Sequence, residues 1–181
     1  AAEQAERNAL QAGLFDADRV DTFTTYATPV SGSGSLVRDK PAMVRVLDAS
    51  GVLEQKWYYY DTEPDGLTNG KVAIGNLVRV RARLTAGDAN GPQLRMAYDA
   101  AGNVTAVTDA NGHSTTTTYD PWRLHPRVVT NPLGHATATE VDYRWGLPLR
   151  IVDPNGAETA FAYDAAGRRV CAARPGDSLA Q

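Results

Sequence analysis

The chain has 181 residues, 43% of them apolar and 22% charged, with a formal net charge of −3. That length fits one domain. The slightly acidic balance gives no electrostatic case for nucleic acid, no apolar run reaches the roughly twenty residues of a membrane helix, and a single cysteine, Cys171, excludes an internal disulfide.

Ala1 to Leu14 is the one helical candidate, because Ala, Glu, Gln, Arg and Leu are good helix formers and Gly13 can cap the end. Its apolar positions are mostly alanine, so a frayed arm is expected. The charges in Ala1–Leu10 stand where a signal peptide needs an apolar core, so no secretion signal is visible. Asp21 to Val30 alternates as a strand. Ser31-Gly32-Ser33-Gly34-Ser35 reads as a loop; no lysine or helix follows to make it a phosphate cradle.

Ala42–Asp48 and Val52–Tyr60 form a predicted hairpin, closed by Asp48-Ala49-Ser50-Gly51. Its second arm ends in four consecutive aromatics, Trp57, Tyr58, Tyr59 and Tyr60, which a strand divides two to a face. A covered strand is the preferred account; a sugar-binding platform of Trp57, Tyr58 and Tyr59 is the functional one. Lys71 to Leu84 has a period of two, with Val78, Val80, Ala82 and Leu84 on one side and Arg79, Arg81 and Arg83 on the other. A solvated basic face, or pairing with acidic residues on the next strand, is expected there. Gly87 to Pro92 turns the chain.

From Tyr98 the sequence becomes periodic. Turn-forming residues recur at Asp99, Asp109, Asp120, Asn131, Asp142, Asp153 and Asp164, one step of ten and then five of eleven. Three residues after five of these anchors stands a glycine: Gly102, Gly112, Gly134, Gly156 and Gly167. Arg123 occupies the slot after Asp120, and Gly146 arrives one residue late after Asp142. Asp or Asn at the first turn position bonds its own backbone, and glycine at the fourth takes the left-handed conformation. Between turns lie short Val-, Thr- and Tyr-rich segments, so the pattern predicts successive antiparallel hairpins. A tyrosine precedes every second anchor at Tyr98, Tyr119 and Tyr163, whereas Tyr143 follows Asp142.

Tyr98-Asp99-Ala100-Ala101-Gly102-Asn103, Tyr119-Asp120 and Tyr163-Asp164-Ala165-Ala166-Gly167-Arg168, interleaved with Asp109-Ala110-Asn111-Gly112 and Asp153-Pro154-Asn155-Gly156, resemble Rhs/YD repeats. That family includes bacterial Rhs toxins, shell components of insecticidal toxin complexes and teneurins. The resemblance runs from Tyr98 to about Pro175 and extends back to Tyr60-Asp61. It implies an all-β strip of a spiral shell that encloses or presents a C-terminal toxin, is not itself catalytic, and is secreted or displayed at the cell surface. Its partners would be the rest of the parent shell and the toxin cargo. Sheet edges of an isolated strip would favour oligomerisation. A carbohydrate-binding or adhesion module is the alternative that the resemblance also allows.

His113, His125 and His135 match no metal pattern, no nucleophile elbow is present, and no cofactor is expected. Pro148 to Gly156 literally matches the core-ending signature at which Rhs proteins cut themselves, with Asp153 in the aspartate slot. Asp153 also falls on the eleven-residue beat and a further repeat follows, which favours a turn role. The expected organisation is an arm over 1–30 with a short helix and a strand, a Gly/Ser loop over 31–41, irregular hairpins over 42–97 and regular repeats over 98–181. The opening Ala1-Ala2 and an ending inside the pattern suggest a piece of a larger protein.

Overall fold

The computed structural model describes residues 20–32, 34, 36–48, 50–62, 66–83 and 91–177. The helical candidate at Ala1–Leu14 and the turn residues Gly87 to Asn90 lie outside them. The described residues are all-β and form two compact units, Ala1–Ala97 and Tyr98–Gln181.

The first unit contains β1 (Asp21–Tyr26), β2 (Thr28–Pro29), β3 (Pro41–Asp48), β4 (Gly51–Tyr60), β5 (Lys71–Val72), β6 (Leu77–Ala82) and β7 (Gln93–Tyr98), the last residue of which opens the second unit. An antiparallel sheet runs β1-β3-β4-β6-β7, and β2 pairs with β5 in parallel. The hairpin β3–β4 closes as its turn chemistry predicts, with the Ser50 and Gly51 amides donating to Asp48 Oδ1 at 2.7 and 3.1 Å.

Two segments read as single strands are divided. Asp21–Val30 leaves the antiparallel sheet at Ala27, whose amide donates to the Lys40 carbonyl; Thr28 and Val30 then donate to Gly70 and Val72. Lys71–Leu84 is interrupted at Ala73–Asn76 because these four amides wrap the Asp61 carboxylate. Ala73 and Ile74 donate to Oδ2 at 2.7 and 3.1 Å, and Gly75 and Asn76 to Oδ1 at 2.8 and 3.0 Å. Asp61 itself is buried with φ of +59°, a left-handed backbone that few residues other than glycine adopt. Four amides on one carboxylate outweigh that strain, since a hydrogen bond to a charged group contributes about 1.5–3 kcal/mol.

The aromatic run divides two to a face. Tyr60 is 3% exposed and packs with Ala27, Ala42 and Val72, joined by the half-buried Tyr58, Val37 and Leu77. Its hydroxyl donates to the Pro41 carbonyl at 2.8 Å, and burial pushes its pKa up to about 12. On the other face Tyr59 and Trp57 stand opposite Arg79 and Arg81 of β6. The Arg79 guanidinium lies 3.9 Å from the Tyr59 ring centroid and that of Arg81 lies 4.5 Å from Trp57. The basic face of β6 is thus met by aromatic rings of the neighbouring strand rather than standing as a purely solvated face, a cation–π contact of about 0.5–2 kcal/mol per pair.

The second unit is a meander: β8 (Val104–Thr108), β9 (Ser114–Tyr119), β10 (Pro126–Thr130), β11 (Ala136–Asp142), β12 (Leu147–Val152), β13 (Glu158–Tyr163) and β14 (Arg169–Ala173), each antiparallel to the next. Among its described residues the buried ones are Asp120, Asp142 and Ala173, so no cluster of large apolar side chains holds it.

Candidate functional site

The hairpin turns repeat one geometry. The Oδ1 atom of Asp99 accepts from the amides two and four residues on, Ala101 at 2.8 Å and Asn103 at 3.0 Å. Asp109, Asn131, Asp153 and Asp164 repeat this pair with Asn111 and His113, Leu133 and His135, Asn155 and Ala157, and Ala166 and Arg168, all at 2.8–3.0 Å. The glycine in each turn donates to the anchor carbonyl and holds φ between 76° and 86°. Backbone donors, chiefly the amides of Asn103, His113 and Arg168, hold the Asp99, Asp109 and Asp164 carboxyls below the usual range.

The two irregular anchors use different devices. At Asp120, Arg123 takes the left-handed slot itself, with φ of +57°, and Leu124 donates to Oδ1 at 2.9 Å. At Asp142 the turn is a residue longer: Gly146 donates to the Asp142 carbonyl at 2.8 Å, and Arg144 grips the carboxylate with its amide and guanidinium. The Arg144 side chain holds the Asp142 carboxyl low. Burial would raise the Asp120 carboxyl, but the Leu124 amide and its other donors outweigh it, and its pKa is lowered.

The tyrosines staple neighbouring strands. The Tyr119 hydroxyl donates to the Val104 carbonyl at 3.1 Å and that of Tyr163 to Pro148 at 2.8 Å, each spanning fifteen positions back. Tyr98 ends β7. Tyr143, displaced by one position, is 54% exposed and meets the edge of His125 at a centroid distance of 5.7 Å.

Successive turns alternate between two edges of the meander, and the edges differ. On the edge of Asp99, Asp120, Asp142 and Asp164, neighbouring turns touch. Asn103 Nδ2 donates to the Arg123 carbonyl at 2.9 Å, His125 meets Tyr143, and Trp145 lies against Gly167 so closely that a Cβ there would fall 2.9 Å from its ring. On the edge of Asp109, Asn131 and Asp153, an added Cβ at Gly112, Gly134 or Gly156 would meet nothing within 4 Å. His113 there pairs with Asp109 through Nδ1 at 3.1 Å.

The remaining candidates find structural surroundings. Of the proposed sugar platform, Tyr59 is buried, Trp57 faces Arg81 and Tyr58 packs on the core cluster. Asp153 holds its own turn, and Pro148 accepts the Tyr163 staple. Sequence reasoning missed the Asp61 nest and a cleft of about 330 Å3 lined by Asp120, Trp122, His125, Arg127, Glu140 and Tyr143 among others. Asp120, Trp122, His125 and Arg127 gathered around one turn were the available signal for the cleft.

No curated protein matches the sequence. Among solved structures, the fold is similar to TcdB2-TccC3, with a TM-score of 0.66 and 12% identity over 92% of this chain and 12% of that one. A second similar structure is TcdB2-TccC3 without its hypervariable C-terminal region, with a TM-score of 0.66 and 11% identity over 91% of this chain and 11% of that one. The chain therefore spans about a ninth of the length of the structures it resembles, and at this identity the likeness concerns the fold. The RHS repeat model matches residues 73–113, 98–136 and 142–176. Those spans take in more than half of the sequence and all seven turn anchors, so the chain belongs to the RHS repeat family.

Proposed function

We propose that this chain is a wall segment of an Rhs/YD-repeat shell that encloses or presents a C-terminal toxin, and that it performs no catalysis of its own. The observation that carries this reading is the second unit's construction. Hairpins closed mostly by one turn geometry, with tyrosine staples from Tyr119 and Tyr163, follow one another over β8–β14 with no large apolar core among the described residues. A sheet built this way is lengthened by adding strands, as a wall requires. Its regular part is the stretch 98–181, and the irregular hairpins over 42–97 form a separately packed section of the same wall. Its partners are the rest of the parent shell and the enclosed polypeptide. A secreted or cell-surface setting goes with that role.

The test is protease protection in the parent polypeptide. The reading predicts that the C-terminal segment resists protease when the strands of this chain are intact and is digested when β8–β14 are deleted. Equal digestion with and without those strands would contradict it.

A further inference from the structure

The ladder between β10 and β11 stops early. It joins Thr130 to Ala136, Val129 to Thr137 and Val128 to Ala138, and goes no further. The outer partners of the same strands continue, β9 to Pro126 and β12 to Asp142. Pro126 has no amide to offer, so the two strands part toward the Asp120 and Asp142 turns, and the cleft of about 330 Å3 fills the gap.

Its chemistry is that of a site for an organic cation. Asp120 is 7% exposed, lines the cleft, and its Oδ2 atom has no hydrogen-bond partner. The Tyr143 phenol leans on this carboxylate, and their hydrogen-bonding interaction raises the phenol pKa, but its geometry is too poor to count as a full bond to Oδ2. A buried acceptor without a donor costs about 1–3 kcal/mol, and more when charged. Glu140, on the opposite wall, makes no ion pair among the described residues, because the nearby Arg150 is committed to Glu158 at 2.6 Å. Arg127 is the one permanently charged cation lining the cleft, beside the His125 imidazole, against two carboxylates. Trp122, 72% exposed, lines the cleft as well. The described residues contain no group of three metal-ligating side chains, which disfavours a metal ion as occupant.

We propose that this cleft is a socket for a basic side chain, the guanidinium or ammonium group of an arginine or lysine on a partner polypeptide. The entering cation takes the place of the Tyr143 phenol at Asp120, pairs with Glu140 and stacks on Trp122. A polypeptide rather than a free cation fits because large apolar residues, Trp122, Leu124, Tyr143 and Trp145, are exposed on the two turns flanking the cleft, a rim that a macromolecular surface can cover.

The test follows the three indole N–H signals of the full chain by nuclear magnetic resonance during titration with Nα-acetyl-arginine methylamide. Its uncharged citrulline counterpart and Nα-acetyl-glutamate methylamide serve as controls. The proposal predicts a saturable shift of the Trp122 indole with the arginine derivative, weakened about tenfold for citrulline and by Glu140→Gln. No saturable shift, an equal response to citrulline, or a stronger response to the glutamate derivative (an anion site on Arg127) would overturn it. The ligand series on the unaltered chain decides the matter even where a variant fails to fold.

Discussion

The two units hold their strands by different means. The first buries Leu47, Tyr59, Tyr60, Val72 and Val78, and it ties a loop to the sheet through a carboxylate that accepts four amides. The second buries no large apolar residue among those described and relies on ladder bonds, anchored turns and tyrosine staples. An ordinary small domain needs a core, since burial is the dominant favourable term in folding. A repeat unit can instead satisfy its backbone locally and leave its half-buried faces to neighbouring copies of the pattern. The difference teaches that the eleven-residue beat specifies local turns and strand pairing, whereas the irregular hairpins specify a packed interior.

Breaking the first unit should cost most at Asp61. Asp61→Ala removes the acceptor of four backbone donors and is expected to destabilise by about 4 kcal/mol in urea unfolding, with Asp61→Asn intermediate. A cost under about 1 kcal/mol would mean that water replaces the carboxylate. The contrast between the two turn edges is next in size. Gly167→Ala must accept φ of +76° and displace Trp145, so about 2–3 kcal/mol is expected. Gly112→Ala meets open space at φ of +85° and should cost about 1 kcal/mol. Equal costs would remove the distinction between edges.

The staples give a smaller effect. Tyr163→Phe loses the bond to Pro148 and should cost about 1 kcal/mol, read by thermal unfolding. Tyr143→Phe, with no comparable carbonyl bond, should cost less. The acid response is subtlest. Asp99, Asp109 and Asp164 have folded pKa values below the ordinary value near 3.8, so the stability they lend is present above that value and is lost as pH falls through the depressed folded values. Denaturation midpoints of the second unit should therefore hold from pH 7 to about 5 and drop below about 4. A midpoint unchanged down to pH 3 would show that the turn carboxylates contribute nothing.

How much of this was legible depended on sequence distance. The turns at Asp99, Asp109, Asn131, Asp153 and Asp164 could be read because each is made within five residues, from groups whose types reveal the bond. The even split of Trp57 to Tyr60 followed from strand alternation alone. The breaks at Ala27 and Ala73 could not be read, since their causes are a parallel pairing of Thr28 with Lys71 and a carboxylate twelve to fifteen positions away. The stacking of Arg79 on Tyr59 needed the register of β4 on β6, and the Asp120 cleft needed the point at which β10 and β11 separate. Those are properties of pairing, and pairing is not written in either strand by itself.

Native-state hydrogen exchange, followed amide by amide on the dilute full chain, tests the central claim most directly. The account predicts that amides of β3, β4 and β6 open only with unfolding of the first unit, while those of β9 to β13 exchange through smaller local openings at a free energy lower by several kcal/mol. Protection in β9–β13 equal to or above that in β4 would contradict it, because a coreless meander would then be as tightly held as the packed one.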